Sequence, residues 1–234
     1  MAIYTISDLH LSLNKEKPMD IFGENWAEHS EKIKKDWQEK VKDNDIVLMP
    51  GDFSWAMNLK ETYDEFEYLE ALPGKKILLK GNHDYWWETL TKMRKYLKEN
   101  NFLSIDFLHN NSYLYENTII AGTRGWTIND NVDDKKIFER ELGRLELSLE
   151  DGIKKYGKNK ETIVCMHYPP IINQEKTEEE RKLLNILKKY NVKKCIYGHL
   201  HGESQKYGVT GNIEGIEFIL ASADYLEFKL LKIK

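Results

Sequence analysis

Side chains that bind divalent metals are concentrated in five short peptides of this chain, nearly all of which follow apolar runs. In chain order the peptides are Asp8-Leu9-His10, Gly51-Asp52, Gly81-Asn82-His83-Asp84, His167 and Gly198-His199-Leu200-His201. They contain five of the seven histidines in the chain. Aspartate, histidine and asparagine brought by strand ends to one edge of a sheet are the ligands that a two-metal hydrolytic centre requires.

The spacing within the peptides suits metal binding. Asp8 and His10 lie two residues apart, as His199 and His201 do, and residues i and i+2 of an extended segment point to the same side. Each pair can therefore reach one ion. A single HxH pair or Gly-Asp pair is a weak signal, because both also occur in turns. The occurrence of all five peptides in this order favours a metal site over scattered structural histidines.

The elements that must position these peptides alternate between strands and helices in the first half of the chain. The predicted strands are short apolar runs, at Ala2–Ser7, Ile46–Met49 and Ile77–Leu79. The predicted helices show apolar spacings of three and four, over Ser30–Val41, Leu59–Leu72 and about Trp87–Lys98. This strand-helix order predicts a parallel sheet.

The second half predicts a second sheet. Its first strands form a hairpin from Ser112–Tyr115 and Thr118–Ala121, and a long helix over about Asp133–Tyr156 follows. Further strands are predicted at Thr162–Met166 and Cys195–Tyr197, on either side of a helix capped by Thr177 and Glu180. The tail is predicted to add two antiparallel strands to this second sheet, at Ile216–Ala221 and Leu226–Ile233. With no repeat and no linker, residues 1–234 are predicted to form a single domain.

Residues 11–29 do not fit this pattern, because they are polar, contain Pro18 and Gly23, and show no period. A loop of this length is often functional. It leaves directly from His10, so we interpret it as an active-site loop insertion, with a passive insertion as the alternative.

Composition narrows the class of protein. The formal net charge of −4 and the pI of about 6.0 do not suggest a protein that binds long nucleic acids or anionic membranes. The two cysteines, Cys165 and Cys195, lie in apolar runs and are predicted to be buried thiols. No basic leader precedes the first strand, and no apolar run approaches the roughly 18 residues of a membrane span. We expect a soluble, cytoplasmic protein with no membrane partner; its oligomeric state is not predicted.

The ordered set of motifs resembles the calcineurin-like metallophosphoesterases over nearly the whole chain. The run Leu79-Lys80-Gly81-Asn82-His83-Asp84-Tyr85-Trp86-Trp87 is similar to that of bacterial predicted phosphohydrolases of this family. The resemblance implies an α/β fold, namely a four-layer α/β/β/α sandwich of two mixed central sheets flanked by helices. It also implies two divalent metal ions at the strand ends.

The resemblance assigns the metal ligands residue by residue. One ion would be held by Asp8, His10, Asp52 and His201. The other would be held by Asp52, Asn82, His167 and His199, so that Asp52 bridges the two. The mixture of oxygen and nitrogen ligands suits manganese, iron, zinc or cobalt, and the sequence does not choose among them.

Such a centre is suited to hydrolysis of a phosphoester by in-line attack of a metal-bridging hydroxide. With Asp8 and Asp52 as its carboxylate ligands, and with Asn82 neutral, it keeps a positive charge that stabilises the phosphoryl oxygens. His83 is the predicted general acid, and Asp84 is predicted to orient the His83 imidazole, as the His-Asp pair of the family does. The predicted substrate is a small phosphomonoester or phosphodiester.

Two further residues are candidates for substrate contact. Arg124 follows a predicted strand and could bind a phosphate oxygen, with a surface salt bridge as the alternative. Trp55 lies three residues after Asp52 and could stack on an aryl group or nucleobase, with helix packing as the alternative. The competing functions are a nuclease, a protein phosphatase, and a non-catalytic binding module on the same scaffold.

Overall fold

A computed structural model describes residues 1–13, 17, 19–127, 132–172 and 176–234 of the chain. The chain folds into two compact units. The first unit consists of Met1–Phe107 and Ala221–Lys234, and the second of Leu108–Leu220. The prediction of a single domain over residues 1–234 stays a prediction.

The first unit contains a five-stranded sheet in the order β11-β1-β2-β3-β4. Its strands are β1 (Ile3–Thr5), β2 (Ile46–Met49), β3 (Lys75–Leu79), β4 (Ile105–Leu108) and β11 (Leu231–Lys232). The pairs β1–β2 and β2–β3 are parallel, as predicted. Strands β1 and β2 are buried along their whole length, which fits their continuous apolar sequence.

The helices of the first unit are α1 (His29–Lys40), α2 (Tyr63–Glu70) and α3 (Leu90–Glu99). Helix α1 buries Ile33 and Trp37 in one apolar core with residues of the sheet. Helix α2 is shorter than predicted because its first turn, Leu59–Thr62, is a 3-10 helix. Helix α3 begins later than predicted because Thr89 is extended and caps it, with its hydroxyl accepting from the Lys92 N–H.

The second unit contains a six-stranded sheet in the order β5-β6-β7-β8-β10-β9. Its strands are β5 (Tyr113–Tyr115), β6 (Thr118–Thr123), β7 (Glu161–Met166), β8 (Val192–Tyr197), β9 (Gly211–Ile213) and β10 (Ile216–Leu220). The α-helices described in this unit are α4 (Val132–Tyr156) and α5 (Glu178–Lys189), and Gly202–Tyr207 is a 3-10 helix. The predicted hairpin is the antiparallel pair β5–β6, and Thr177 and Glu180 form the predicted capping box of α5. The unit has an apolar core of its own.

The prediction for the tail was wrong. Strand β10 joins the second unit's sheet, parallel to β8 and antiparallel to β9, whereas β11 pairs antiparallel with β1 in the first unit's sheet. The apolar pattern of the tail shows that it is extended, but it does not show which open sheet edge will accept it. Two strands, β4 and β9, were not predicted. The α/β class with two mixed sheets and accompanying helices is confirmed.

The loop that leaves His10 contains two 3-10 helices, Met19–Phe22 and Glu24–Trp26. Met19 and Trp26 are buried and form part of the apolar core of the first unit. Residues 14–16 and 18 of the predicted insertion lie outside the described residues.

Two predictions from composition can be compared with the structure. Cys165 and Cys195 are both buried free thiols, as predicted, and burial raises the pKa of Cys165 to about 12. Among the described residues, no helix combines the length and apolar character needed to cross a membrane.

Candidate metal centre

The segments that follow β1 and β2 continue to pair with each other after the strands end. The N–H groups of Asp8 and His10 donate to the carbonyl oxygens of Gly51 (2.9 Å) and Asp52 (3.0 Å). One step further, the Leu11 N–H donates to the Phe53 carbonyl at 2.9 Å. These bonds fix the first two metal-binding peptides side by side.

Three buried side chains that can bind a metal lie close together where the segments after β1 and β2 pair. Asp8, His10 and Asp52 are only 0%, 4% and 1% exposed. A carboxylate oxygen of Asp8 lies within 4.8 Å of a ring nitrogen of His10 and, in a second grouping, of a carboxylate oxygen of Asp52. His10 Nε2 lies 3.8 Å from Asp52 Oδ2. The predicted ligands Asp8, His10 and Asp52 are therefore close together.

The residues present fit a divalent metal. Two carboxylates that are buried and this close repel each other, and neighbouring side chains rarely offset the cost of burying both charges. A divalent cation between them would remove the repulsion, and an imidazole beside them supplies a third ligand of a suitable type. The donor set thus has the composition expected of a divalent-metal site.

The backbone at these residues is unusual. Asp8, His10, Asp52 and His199 all have positive φ angles, of 60°, 47°, 53° and 72°. Non-glycine residues adopt this left-handed conformation rarely and at an energetic cost, and such residues concentrate at functional sites. The prediction that Asp8 and His10 lie on one extended segment was therefore wrong, because the left-handed conformation ends the extended run after the strand.

The third peptide closes against the second. A Cβ added to Gly81 would lie 2.0 Å from Asp52 Oδ1 and 2.3 Å from Asp52 N, so only glycine fits there. The His83 N–H donates to Asp52 Oδ1 at 2.8 Å. Asn82 lies between these two residues and is partly buried. The main chain of the third peptide therefore contacts a candidate metal ligand directly.

Asp84 organises both loops through its carboxylate, which is fully buried. The carboxylate accepts hydrogen bonds from five N–H donors, at 2.7–3.3 Å, which belong to Gly81, Asp52, Phe53, Ser54 and the Trp86 indole. A carboxylate that accepts several backbone N–H bonds is a strong structural anchor. Its predicted role in orienting the His83 imidazole stays a prediction.

The Trp55 indole contacts the imidazoles of His10 and His83, whose rings also contact each other at 5.6 Å. Its ring stacks on His10 with centroids 4.9 Å apart and contacts His83 at 4.6 Å. Its Nε1–H donates to Met19 Sδ at 3.2 Å. Trp55 therefore packs against a candidate ligand and the candidate acid, and its predicted contact with substrate stays a prediction.

The second unit contributes the remaining histidines. His167 directly follows β7 and is fully buried, and its ring lies 5.1 Å from that of His199, which follows β8. The Gly198 N–H donates to the His167 carbonyl at 3.1 Å and holds the two strand ends together. His201 is partly buried, and Ser204 bonds to both its N–H and its carbonyl.

Arg124 lies beside this histidine pair. Its carbonyl accepts hydrogen bonds from the N–H groups of His167 (3.0 Å) and Tyr168 (2.9 Å). Its guanidinium lies 4.9 Å from the centre of the Trp126 ring. Its Nε is buried and has no hydrogen-bond partner within the described part of the chain. An anion would supply such a partner. That Arg124 binds a phosphate oxygen of the substrate stays a prediction.

Two aromatic residues beside the histidines were not predicted. The Tyr168 ring lies 4.4 Å from that of His199, and the Trp26 edge faces His10 at 6.1 Å. The position of Tyr168 directly after His167 was a signal from which its contact with the histidines could have been predicted. Trp26 lies in the loop that showed no period, so its sequence carried no signal of this contact.

Comparison with known proteins identifies the family. The model of the family described as calcineurin-like phosphoesterase matches residues 1–203, which include every predicted ligand. An uncharacterized protein of Methanocaldococcus jannaschii, MJ1445, is 34% identical over 87 residues, covering 37% of this chain and 48% of that protein. The chain thus aligns with about half the length of this curated relative.

Solved structures share the fold. The protein of unknown function AQ665 from Aquifex aeolicus is 20% identical, with 99% of this chain and 95% of that chain covered and a TM-score of 0.51. The phosphopantetheinyl hydrolase PptH from Mycobacterium tuberculosis is 12% identical with the same coverage and a TM-score of 0.57. At these identities the likeness concerns the fold alone. The extent of the family match decides the assignment: the chain belongs to the calcineurin-like phosphoesterase family.

Proposed function

We propose that the protein is a metal-dependent phosphoesterase that hydrolyses a small phosphomonoester or phosphodiester at a dinuclear centre. The observation that carries the proposal is the buried cluster of Asp8, His10 and Asp52, to which the main chain of His83 is hydrogen-bonded. Buried carboxylates and an imidazole at this spacing suit a divalent ion far better than an apolar core.

The second unit would supply the other ligands. Asp8, His10, Asp52 and Asn82 come from the first unit, and His167, His199 and His201 come from the second. The family match over residues 1–203 spans both sets and supports their use in one centre. Manganese, iron, zinc and cobalt are all compatible with these ligands.

Bound ions would polarise the phosphoryl group and lower the pKa of water, which supplies the nucleophile near neutral pH. The residues of the chain carry the remaining tasks. Asp52 holds the His83 main chain through Oδ1, which fixes the start of that side chain relative to the ligands. The His83 imidazole would donate a proton to the leaving oxygen, and Arg124 would bind a non-bridging oxygen of the phosphoryl group.

The charge of the protein favours a small substrate. A net charge of −4 provides little general attraction for a long polyanion, so the metals must bind the phosphate locally. A cytoplasmic location and the absence of a membrane partner stay predictions from the sequence.

A metal-reconstituted panel tests the proposal. The purified chain is loaded with Mn²⁺, Fe²⁺, Zn²⁺, Co²⁺ or Mg²⁺ and assayed with p-nitrophenyl phosphate, its bis ester, cyclic nucleotides and short single-stranded DNA. We expect turnover of at least one small ester with a transition metal. No turnover with any combination would favour the binding module, and turnover of DNA alone would favour the nuclease.

Asp52→Asn is the matching variant, because it keeps the oxygen that bonds to the His83 N–H but removes the charge. We expect loss of bound metal by elemental analysis and at least a roughly hundredfold fall in kcat/KM. Asp133→Asn is the control, since Asp133 carries the same side chain with 78% of it exposed on α4. Full metal content in Asp52→Asn would contradict the ligand assignment.

A further inference from the structure

A cavity opens beside His10 in the first unit. It has a volume of about 560 Å³, within the range of small-molecule sites, and it is lined by residues between His10 and Ser30. We call it the His10 cavity. Because its lining comes from the loop that follows the first metal-binding peptide, it begins at a candidate metal ligand and extends away from it along this loop.

The floor of the His10 cavity is apolar. Leu11, Met19 and Trp26 line it and are buried, and Leu13 lines it with 41% of its surface exposed. Apolar lining with partial exposure on one side leaves apolar surface that a ligand can cover.

The walls are fixed by contacts that do not depend on a ligand. Met19 Sδ accepts from the Trp55 indole at 3.2 Å, and the Trp26 ring packs on Phe228 at 5.0 Å. Both ring nitrogens of His29 face carbonyl oxygens, Nδ1 that of Trp26 at 3.2 Å and Nε2 that of Leu9 at 3.0 Å. The cavity is therefore largely formed in the protein itself, which reduces the entropic cost of binding.

The charges on the lining do not suit a second anion. Among the residues that the structure describes, the charged ones in the lining are Lys17, Asp20 and Glu28, with one positive and two negative charges. The Lys17 ammonium lies 5.3 Å from the centre of the Trp55 ring and 3.5 Å from the Trp55 carbonyl oxygen, so its charge is already directed toward Trp55. A polyanionic group in the cavity would face net negative charge.

We propose that the His10 cavity binds the uncharged, apolar alcohol portion of the phosphoester substrate. This inference rests on the proposed function, because His10 both lines the cavity and is a predicted metal ligand, so a phosphoryl group bound there would have the cavity beside it. It restricts the substrates to alkyl or aryl phosphate esters and disfavours those whose alcohol portion carries further phosphates.

A series of alkyl phosphates measures this preference directly. The metal-loaded protein is assayed with ethyl, butyl and hexyl phosphate, and with a nucleoside triphosphate as the polyanionic comparison. Each buried methylene should raise kcat/KM roughly two- to fourfold, or roughly 16- to 256-fold over the four methylenes from ethyl to hexyl. Equal kcat/KM along the series, or a higher value for the triphosphate, would overturn the inference.

A pair of variants with the same substitution localises the effect. Leu13→Asp places a charge at the mouth of the cavity, and we expect the hexyl-to-ethyl ratio to fall at least tenfold. Leu114→Asp is the control, since Leu114 is similarly exposed at 39% but lies on β5, outside the cavity. An equal fall in both variants, or no fall in Leu13→Asp, would overturn the inference.

A binding measurement separates failure of the inference from failure of the proposed function. The metal-free protein is titrated with 1-hexanol while the methyl resonance of Met19, assigned with Met19→Leu, is followed by NMR. A saturable shift supports the cavity as a binding site for the alcohol. If no ester is turned over as well, only the proposed activity is contradicted. No shift together with a flat alkyl series would overturn the inference while leaving the phosphoesterase proposal intact.

Discussion

The side chain and the main chain of His83 serve different purposes. Its N–H is bound to Asp52 at 2.8 Å, whereas its ring lies against Trp55 and 5.6 Å from the ring of His10. Removal of the imidazole leaves the main-chain bond to Asp52 in place. A variant at this position can therefore separate proton donation from metal binding.

At His83 we predict that substitution by alanine lowers kcat about 10²- to 10⁴-fold, the usual contribution of a general acid, while metal content stays at the wild-type level. Steady-state kinetics and elemental analysis on the same sample measure both quantities. His109→Ala is the control, because His109 lies outside the candidate centre and should leave kcat unchanged. If metal is lost in parallel with the rate, the role as acid is contradicted.

The loops after β1, β2 and β3 form one interlocked element of the first unit. The first two pair through their main chains, and the third is held by Asp84 and by the close approach of Gly81 to Asp52. A side chain at position 81 would have to displace either the Asp52 carboxylate or its N–H. The positions of the candidate ligands thus depend on a glycine that has no side chain with which to bind metal.

Gly81→Ala should therefore damage both stability and metal binding. We predict a loss of roughly 3 kcal/mol in the free energy of unfolding, from steric overlap that the buried loop cannot relieve, together with lower metal content. Gly143→Ala is the control, since a Cβ there meets nothing within 4 Å and lies in α4. That change should stabilise by roughly 0.5–1 kcal/mol, and urea unfolding compares the two. Wild-type stability and metal content in Gly81→Ala would contradict the steric account.

Strand β3 carries a buried lysine. Lys76 is fully buried, and its ammonium donates to the Leu72 carbonyl and to Ser104 Oγ. Burial lowers the pKa of Lys76 from 10.5 to about 8, against the opposing influence of nearby Glu70 and Asp43. Between these two values the unfolded chain binds a proton that the folded chain does not bind, so stability must rise with pH.

Below about pH 8 the charged Lys76 lowers the free energy of unfolding. We predict that this destabilisation disappears between about pH 8 and about pH 10.5, so that the free energy of unfolding rises by at most roughly 3 kcal/mol. Urea unfolding at several pH values in the presence of a chelator measures it as the difference between wild type and Lys76→Met. The variant loses two hydrogen bonds at every pH, but it should lack the pH-dependent rise. Parallel stability profiles for the two proteins would show that the pKa of Lys76 is the same in the folded and unfolded chains.

At the scale of the whole molecule, the predicted ligands are divided between the two compact units, with Asp8 in the first and His167 in the second. If the two sets serve one centre, metal binding must depend on both units. An ion that binds only the folded protein adds about 2.7 kcal/mol to the free energy of unfolding when its concentration is 100 times Kd.

We predict that saturating Mn²⁺ or Zn²⁺ raises the free energy of unfolding by this amount or more, and that Asp8→Ala and His167→Ala each abolish the increase. Urea unfolding with metal and with chelator provides the comparison. Asp133→Ala, a change at an exposed residue of α4 outside the predicted ligands, should keep the metal-dependent increase. Full stabilisation in His167→Ala would contradict a centre that uses the second unit.

The elements that carry the candidate site were largely predictable. Strands β2, β3, β7 and β8 end where the sequence indicated, because short apolar runs interrupted by glycine or aspartate leave few alternatives. Strand β1 ends at Thr5, two residues before the predicted end. The capping box at Thr177 and the hairpin at β5–β6 were equally local signals. The pairing of β11 with β1 was mispredicted, since which open sheet edge a short strand joins depends on residues far away in the sequence.

By itself, the sequence determined the α/β class, the list of chemically competent side chains and the family to which the chain belongs, because these follow from residue type, order and local periodicity. The tertiary structure decided how the metal-binding side chains of the first unit meet: the left-handed backbone at Asp8, His10 and Asp52, the five donors on Asp84, and the contact of Trp55 with the imidazoles of His10 and His83. Apart from the bonds that Asp84 accepts from Gly81 and Trp86, these features involve residues that are about 30 or more positions apart, which no local pattern specifies.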